Sequence, residues 1–367
     1  MKKSLTYGLA AGAGCLGTGL FYLLVYVSGT QVARMTGGRY SPGSAIVDTL
    51  LYLVLLGCIV GLNSLFQMAA SRLNPDRKGW QKLMLSLLTI SMTIFLVIPL
   101  SMVVMQVFPK KVGCTITPED FGFTYQDVTL TPDGRRIAAW FVPGKSPESP
   151  VVVIGHGYGA NRQNFMDAVE MIHSMGPGVM TIDFRAHGNS SGMVSSFGFH
   201  EARDIRAAHD WVKENTRADK IFALGYSMGA AAVLKASADF EIFDRVILDS
   251  CFCRAENVAR ASLLNHFGPL KSVFWQMGRF WAWIFTGVDL EHHDMRPYLK
   301  KIPHTPVLII HGREDKLSPV SESELLHQEG GDRHELMIIE NVGHVQGIAC
   351  DEYKIRIRKF LGLDEQL

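Results

Sequence analysis

The chain has 367 residues, long for one compact domain and short for three. Its formal net charge is +1, and no basic block offers a footprint for nucleic acid. Six cysteines are scattered (Cys15, Cys58, Cys114, Cys251, Cys253, Cys350) and form neither a disulfide framework nor a zinc pattern.

The apolar surplus lies in the first third. After Met1-Lys2-Lys3, uncharged stretches run from Ser4 to Ala33, Thr49 to Ser71 and Leu83 to Pro109. Each exceeds the roughly 20 residues that cross a bilayer, which predicts a membrane region over 1–111 with spans at about 5–28, 47–70 and 83–108. The first is too long for the apolar part of a signal peptide, and further spans follow it. Gly12-Ala13-Gly14-Cys15-Leu16-Gly17 matches G-x-G-x-x-G, but no strand precedes it and no acid follows at the required distance. Gly8, Gly12, Ala13 and Gly17 instead suit close helix packing in lipid. Asp48 reads as interfacial, and Pro99 is expected to kink the third span. Lys2, Lys3, Arg72, Arg77, Lys78 and Lys82 outnumber Arg34, Arg39, Lys110 and Lys111. The positive-inside rule then places the N-terminus in the cytoplasm and the C-terminal domain outside it.

From Val112 the chain turns soluble, and 112–367 reads as one globular domain. Phe123 to Leu130 and Arg136 to Val142 are strands joined by the turn signal Thr131-Pro132-Asp133-Gly134. Short apolar strands follow at Val151–Ile154, Val179–Phe184, Ile221–Leu224, Val246–Leu248, Val307–Ile310 and Leu336–Ile339, with helical patterns at Asn164–Ser174 and Ala202–Asn215. Continuous β-branched runs between helices predict an α/β domain with a mostly parallel eight-stranded sheet, covered by helices on both faces. Functional groups in such a sheet belong at the carboxyl ends of its strands.

One stretch fixes where the chemistry should be. Ile221 to Leu224 enters Gly225-Tyr226-Ser227-Met228-Gly229 and leaves as an Ala-rich helix. A G-x-S-x-G turn between strand and helix strains its serine and lifts it clear of the sheet edge, and the helix N-terminus aims free N–H groups at the same spot. Ser227 is the expected nucleophile; the plainer alternative is a helix N-cap serine.

The other strand ends lead to Gly155-His156-Gly157-Tyr158-Gly159, Asp183-Phe184-Arg185-Ala186-His187-Gly188, His311-Gly312-Arg313-Glu314-Asp315 and Asn341-Val342-Gly343-His344. In this order they resemble the α/β-hydrolase superfamily over roughly Asp120 to Leu361, and within it a membrane-anchored bacterial branch of serine aminopeptidase-like hydrolases. The resemblance implies a Ser-Asp-His order. His344 is then the base and Asp315, from the H-G-x-x-D pattern, the acid. Asp249, at the end of the sixth strand, competes for that role, and Glu314 is a weaker alternative. The oxyanion donors implied are the N–H groups of Met228 and Tyr158, whose ring either walls an acyl pocket or packs over its loop. His156, His187 and His311 are expected to be structural, Asp183 to bond its own turn, and His292 and His293 to lie at the surface.

A cap insertion is expected over 251–301. It holds Leu263, Leu264, Phe267, Phe274, Trp275, Met277, Phe280, Trp281, Trp283, Ile284 and Phe285. These residues close a cap core, or else line an acyl-chain pocket (Phe274, Trp275, Met277, Phe280, Trp281) or a surface dipping into lipid. The sequence thus reads as a multi-pass, membrane-tethered serine hydrolase cleaving an acyl ester with an apolar acyl part, with the bilayer as partner; such a hydrolase implies no cofactor or metal. A proline-specific or aminopeptidase-like serine peptidase is the first alternative. A cluster of acids in the cap would favour it, but Glu256, Asp289 and Glu291 are scattered. A non-enzymatic receptor or scaffold is the second.

Overall fold

A computed structural model describes residues 57, 60–61, 63–72, 78–262, 268–330 and 334–363. The first expected span, the Gly8–Gly17 pattern, Asp48 and the cap residues Leu263, Leu264 and Phe267 lie outside the described residues. The described chain forms two compact units. One comprises residues up to Val104 together with Val273–Trp281; the other comprises Met105–Ser272 and the chain from Ala282 onward.

The first unit contains a helical stretch over 63–72 and most of α1 (Gly79–Val107), which includes Pro99. Among the described residues α1 is the one helix long and apolar enough to cross a membrane. It begins four residues before the expected third span. Polar side chains tie it to the preceding helix: the Thr89 hydroxyl donates to Asn63 Oδ1 at 2.6 Å and Gln67 Nε2 donates to Ser86 Oγ at 2.9 Å. Such bonds join helices where water does not compete. The segment Val273–Trp281, expected as cap, belongs to this unit. Phe274 packs its ring 5.2 Å from that of Phe95.

The second unit is built on an eight-stranded sheet in the order β1-β2-β4-β3-β5-β6-β7-β8. The strands are β1 (Gln126–Leu130), β2 (Ile137–Val142), β3 (Val151–Gly155), β4 (Gly178–Ile182), β5 (Ile221–Tyr226), β6 (Arg245–Asp249), β7 (Val307–Gly312) and β8 (His334–Ile339). β2 runs antiparallel to β1 and β4, and all other pairs are parallel. β1 begins at Gln126 rather than Phe123, because its partner β2 stops at Val142, before Pro143, which has no N–H for the ladder.

Alternation along the buried strands splits the core in two. Val151, Val153 and Ala223 face one way, onto α3 (Ala202–Asn215) and α4 (Met228–Phe240). Val152, Ile154, Phe222 and Leu224 face the other, onto α2 (Met166–Ser174) and, near the chain end, α9 (Asp351–Leu361). The expected helix over Asn164–Ser174 opens as a 3-10 turn over Arg162–Phe165. Between β6 and β7 lie α5 (Ala255–Ser262), α6 (Lys271–Thr286) and α7 (Arg296–Lys300); α8 (Ser321–Gln328) precedes β8. The parallel strands all end at one edge of the sheet, and there the loops carry the polar residues singled out above.

Candidate active site

At the β5–α4 turn Ser227 has φ 54° and ψ −114°, a left-handed conformation that a side chain rarely adopts. The turn is so tight that a Cβ on Gly225 would stand 2.4 Å from the Gly229 carbonyl oxygen, and one on Gly229 would stand 2.3 Å from that of Gly155. Only glycine fits at either position. The Ser227 N–H is fixed by the Asp249 carbonyl at 2.8 Å. Strain at this residue is the cost of projecting its hydroxyl away from the sheet.

That hydroxyl meets His344 in the loop after β8. Ser227 Oγ lies 2.9 Å from His344 Nε2, and His344 Nδ1 lies 2.6 Å from Asp315 Oδ2. The other oxygen of Asp315 accepts the N–H groups of Leu317 and Ser318, each at 2.9 Å. His311 Nε2 stands 3.2 Å from Asp315 Oδ2 and also donates to the Ser318 carbonyl at 2.7 Å. Burial works against the Asp315 charge, but hydrogen bonds from His311 and His344 outweigh it and hold its carboxyl far below the usual range. Asp315 therefore stays ionised and keeps the His344 proton on Nδ1, leaving Nε2 free to accept from the serine. The arrangement can draw a proton from Ser227 as it attacks a carbonyl.

Asp249, the competing acid, is engaged elsewhere. It accepts from the Tyr353 hydroxyl at 2.9 Å and the Ser250 hydroxyl at 2.8 Å. Burial pushes its pKa up, against those two bonds. Glu314 is not the residue at His344.

Met228 is the first residue of α4, so its N–H has no partner inside the helix. The Tyr158 loop approaches from β3: a Cβ on Gly157, the preceding residue, would touch Ser227 Cβ at 3.6 Å. The Tyr158 hydroxyl donates to the Met105 carbonyl at 3.2 Å, and its ring stacks on Phe197 with centroids 5.3 Å apart. The ring thus lies against Phe197, which belongs to a different loop. His156 and His187 bond backbone, whereas His311, expected to be structural, also meets the acid Asp315. His156 Nε2 accepts the Phe184 N–H at 3.0 Å, and His187 Nδ1 pairs with the Arg185 carbonyl at 3.0 Å. Asp183 does bond its own turn, through the Asn189 N–H at 2.7 Å, and also clamps Arg162 at 2.7 Å.

His293 corrects the sequence reading. His292 is exposed, as expected, but His293 is buried, with Nε2 2.7 Å from the Phe197 carbonyl. A lone polar residue among polar neighbours gave no hint that its partner lay in a distant loop. In the insertion, Phe274 and Trp275 are buried, Met277 and Trp281 half-buried and Phe280 exposed; all five belong to the first unit. Sequence reasoning missed Phe197 and Glu201. The one signal available was a run of small hydrogen-bond donors, Ser195, Ser196 and Gly198, just before a glutamate that opens a helix.

His311 carries a pH prediction. Burial lowers its pKa, but the bond to Asp315 and the Ser318 carbonyl more than offset this, so the folded value lies above the ordinary one. A histidine raised on folding adds stability that is complete below its unfolded pKa of about 6.5 and fades as pH rises through the folded value. The His311 contribution is therefore expected to fall as pH rises above about 6.5. His156, His187, His293 and His334 give the opposite trend, because burial lowers their pKa values. Asp315→Asn should remove the falling component, so that its melting temperature relative to the parent rises with pH. Thermal melts of both proteins across pH 5.5 to 8.5 check it; parallel slopes would contradict it.

A mostly parallel sheet with a strained serine at its central strand-to-helix turn, facing a histidine and an acid from later strand ends, defines an α/β-hydrolase. The chain has the α/β-hydrolase fold and is a hydrolase. Residues 146–295 match the family model for serine aminopeptidase, S33. An esterase of Pyrococcus furiosus, Pf2001, superposes with a TM-score of 0.59 at 25% identity, covering 70% of this chain and 98% of its own. An uncharacterized protein of Mycobacterium tuberculosis is 27% identical over 59% of this chain and 71% of its own length. A monoglyceride lipase homolog of monkeypox virus is 27% identical over 57% of this chain and 86% of its own.

Proposed function

We propose that this protein is a membrane-tethered serine hydrolase that cleaves a carboxylic ester with an apolar acyl group. Ser227 attacks the carbonyl, His344 takes its proton and passes it to the leaving alcohol, and Asp315 orients the imidazole. The N–H groups of Met228 and Tyr158 stabilise the oxyanion. Water activated by His344 then releases the acyl group. The observation that carries this reading is the continuous hydrogen-bonded line from Ser227 through His344 to Asp315. The esterase and lipase names among the similar proteins favour an ester over a peptide. The family model's own name keeps a peptidase as the second reading. The test is fluorophosphonate labelling of the full chain in detergent. The reagent should phosphonylate Ser227, with loss of fluoride, and peptide mapping should place the adduct there. An unlabelled Ser227 would argue for the receptor or scaffold reading.

The tether is α1, preceded in this reading by the two earlier spans, with the hydrolase unit outside the cytoplasm. The support is α1's length and apolarity and the excess of Lys and Arg in Met1–Lys3 and Arg72–Lys82. A reporter fused after Leu367 is expected to work only when it needs an extracytoplasmic location. A fusion active in the cytoplasm alone would reverse the orientation.

A further inference from the structure

The loop Ser195–Glu201 is held by one buried carboxylate. Glu201 Oε1 accepts the Ser195 hydroxyl at 3.0 Å and the Ser196 N–H at 2.9 Å, and Oε2 accepts the Ser196 hydroxyl at 2.5 Å and the Gly198 N–H at 3.0 Å. Glu201 is wholly buried, and burial opposes its charge, yet the bonds from Ser196 outweigh that and keep its pKa below the usual carboxylate range. Among the described residues no Lys or Arg forms an ion pair with it; neutral donors of the loop itself satisfy it.

This staple forces an unusual shape. Phe197 sits at φ 55°, where a bulky residue is strained, and Gly198 at φ 100°. A Cβ on Gly198 would stand 3.0 Å from the Met228 carbonyl oxygen and 2.9 Å from the Ala232 nitrogen, so the loop lies directly on the first turns of α4. Ser195 Oγ is 3.4 Å from Met228 Sδ. On its other side the loop presents the Phe197 ring, stacked on Tyr158 at an interplanar angle of 17°. The loop is tied down in turn: the Ser195 N–H donates to the Val107 carbonyl at 2.8 Å, and His293 Nε2 meets the Phe197 carbonyl. Tyr158 and Met228 come from different strand ends, and this one loop touches both.

Resting on the ester-hydrolase reading above, we infer that Glu201 is a positioning residue for the oxyanion-binding N–H groups, acting through Phe197 on Tyr158 and through Ser195 and Gly198 on Met228. Preorganised donors gain their effect from staying fixed as charge develops, so loosening the brace costs turnover more than ground-state binding. Glutamine cannot replace Glu201. Each carboxylate oxygen faces a backbone N–H, of Ser196 or of Gly198, so an amide NH2 meets a donor whichever way it is turned.

The experiment uses the full chain in detergent with p-nitrophenyl butyrate, and butylboronic acid as a mimic of the anionic tetrahedral adduct. Phe197→Gly removes the ring and also relieves the positive φ, so folding is preserved while the brace is lost. It is expected to lower kcat about 10- to 100-fold, with KM within about threefold, and to weaken boronic acid inhibition by the same factor as kcat/KM. Glu201→Gln should act in the same direction, and Phe197→Tyr should restore kcat to within about threefold of the parent. If Phe197→Gly unfolds, Phe197→Leu, which keeps bulk without a stacking face, is read instead, with the same split expected. Unchanged kcat in Phe197→Gly or Glu201→Gln overturns the inference. So does a rise in KM alone, which would make the ring a mere pocket wall. A parent enzyme that takes no fluorophosphonate on Ser227 sinks the ester-hydrolase reading and this one with it; a labelled parent with silent variants sinks only this one.

Discussion

Ser227→Ala and, separately, His344→Ala are expected to lower ester turnover about 10⁴-fold or more while the protein stays folded. The two losses should be similar, and the double variant should be no worse than either single one, because a nucleophile without its base and a base without its nucleophile are equally idle. Ser227 Oγ and His344 Nε2 are already at hydrogen-bond distance, 2.9 Å, so no rearrangement is needed to start proton transfer. Asp315→Asn is expected to cost as much or less. An amide at that position no longer carries the charge that favours the imidazolium, and it can turn its NH2 toward Nδ1, which selects the wrong tautomer. Asp249→Asn serves as the control. Its carboxylate meets Tyr353 and Ser250 rather than His344, so turnover should change little even if stability falls. The check is steady-state kinetics on an activated ester beside thermal melts of each variant. A silent Asp315→Asn with a dead Asp249→Asn would exchange the two roles.

The parts of the fold that sequence revealed are those with a strong local signature. The buried strands show as unbroken β-branched runs because both faces are covered, and the elbow shows because its two glycines sit where any side chain would strike backbone. The H-G-x-x-D pattern was read through the resemblance; it starts at the end of β7, and its first and last residues both bond Ser318 just beyond it. Contacts between distant segments were not legible. Asp249 and Asp315 both come from strand ends at the same edge, and pattern alone left the choice between them open; the fold sets Asp315 against His344 and Asp249 against Tyr353, over a hundred residues away. His293 looked like a surface residue for want of its partner at Phe197. Glu201 is the same case in a stronger form. Its four donors lie within six residues, but nothing in their types says that the carboxylate is buried or that the loop rests on α4. The insertion between β6 and β7 was expected to be one cap, whereas its central helix falls partly in the unit that contains most of α1. Apolar composition said that α6 would be covered, and could not say by what.

That division of α6 bears on the last expected result, a steep dependence of kcat/KM on acyl-chain length. Val273–Trp281 shares a unit with most of the one described helix apolar enough to span a bilayer, and Phe274 packs its ring against Phe95 within it. Phe280, Trp283 and Ile284 are exposed on the same helix, and aromatic side chains of this kind favour an apolar–water boundary. In the proposed reading, a hydrolase tied to a bilayer would meet substrates already dissolved in lipid, and an acyl site that takes them would gain from burying chain methylenes. Each buried methylene contributes about 0.8 kcal/mol, or about fourfold in kcat/KM where the gain is kept in the transition state. A p-nitrophenyl ester series from acetate to laurate, on protein in nanodiscs, should therefore rise about fourfold per carbon over several carbons and then level off where the site ends. Prolyl and alanyl arylamides, run beside it, should be turned over slowly or not at all. A flat or falling ester series with brisk arylamide cleavage would instead promote the peptidase that the matching family model names, because a site built for a peptide N-terminus gains nothing from added methylenes.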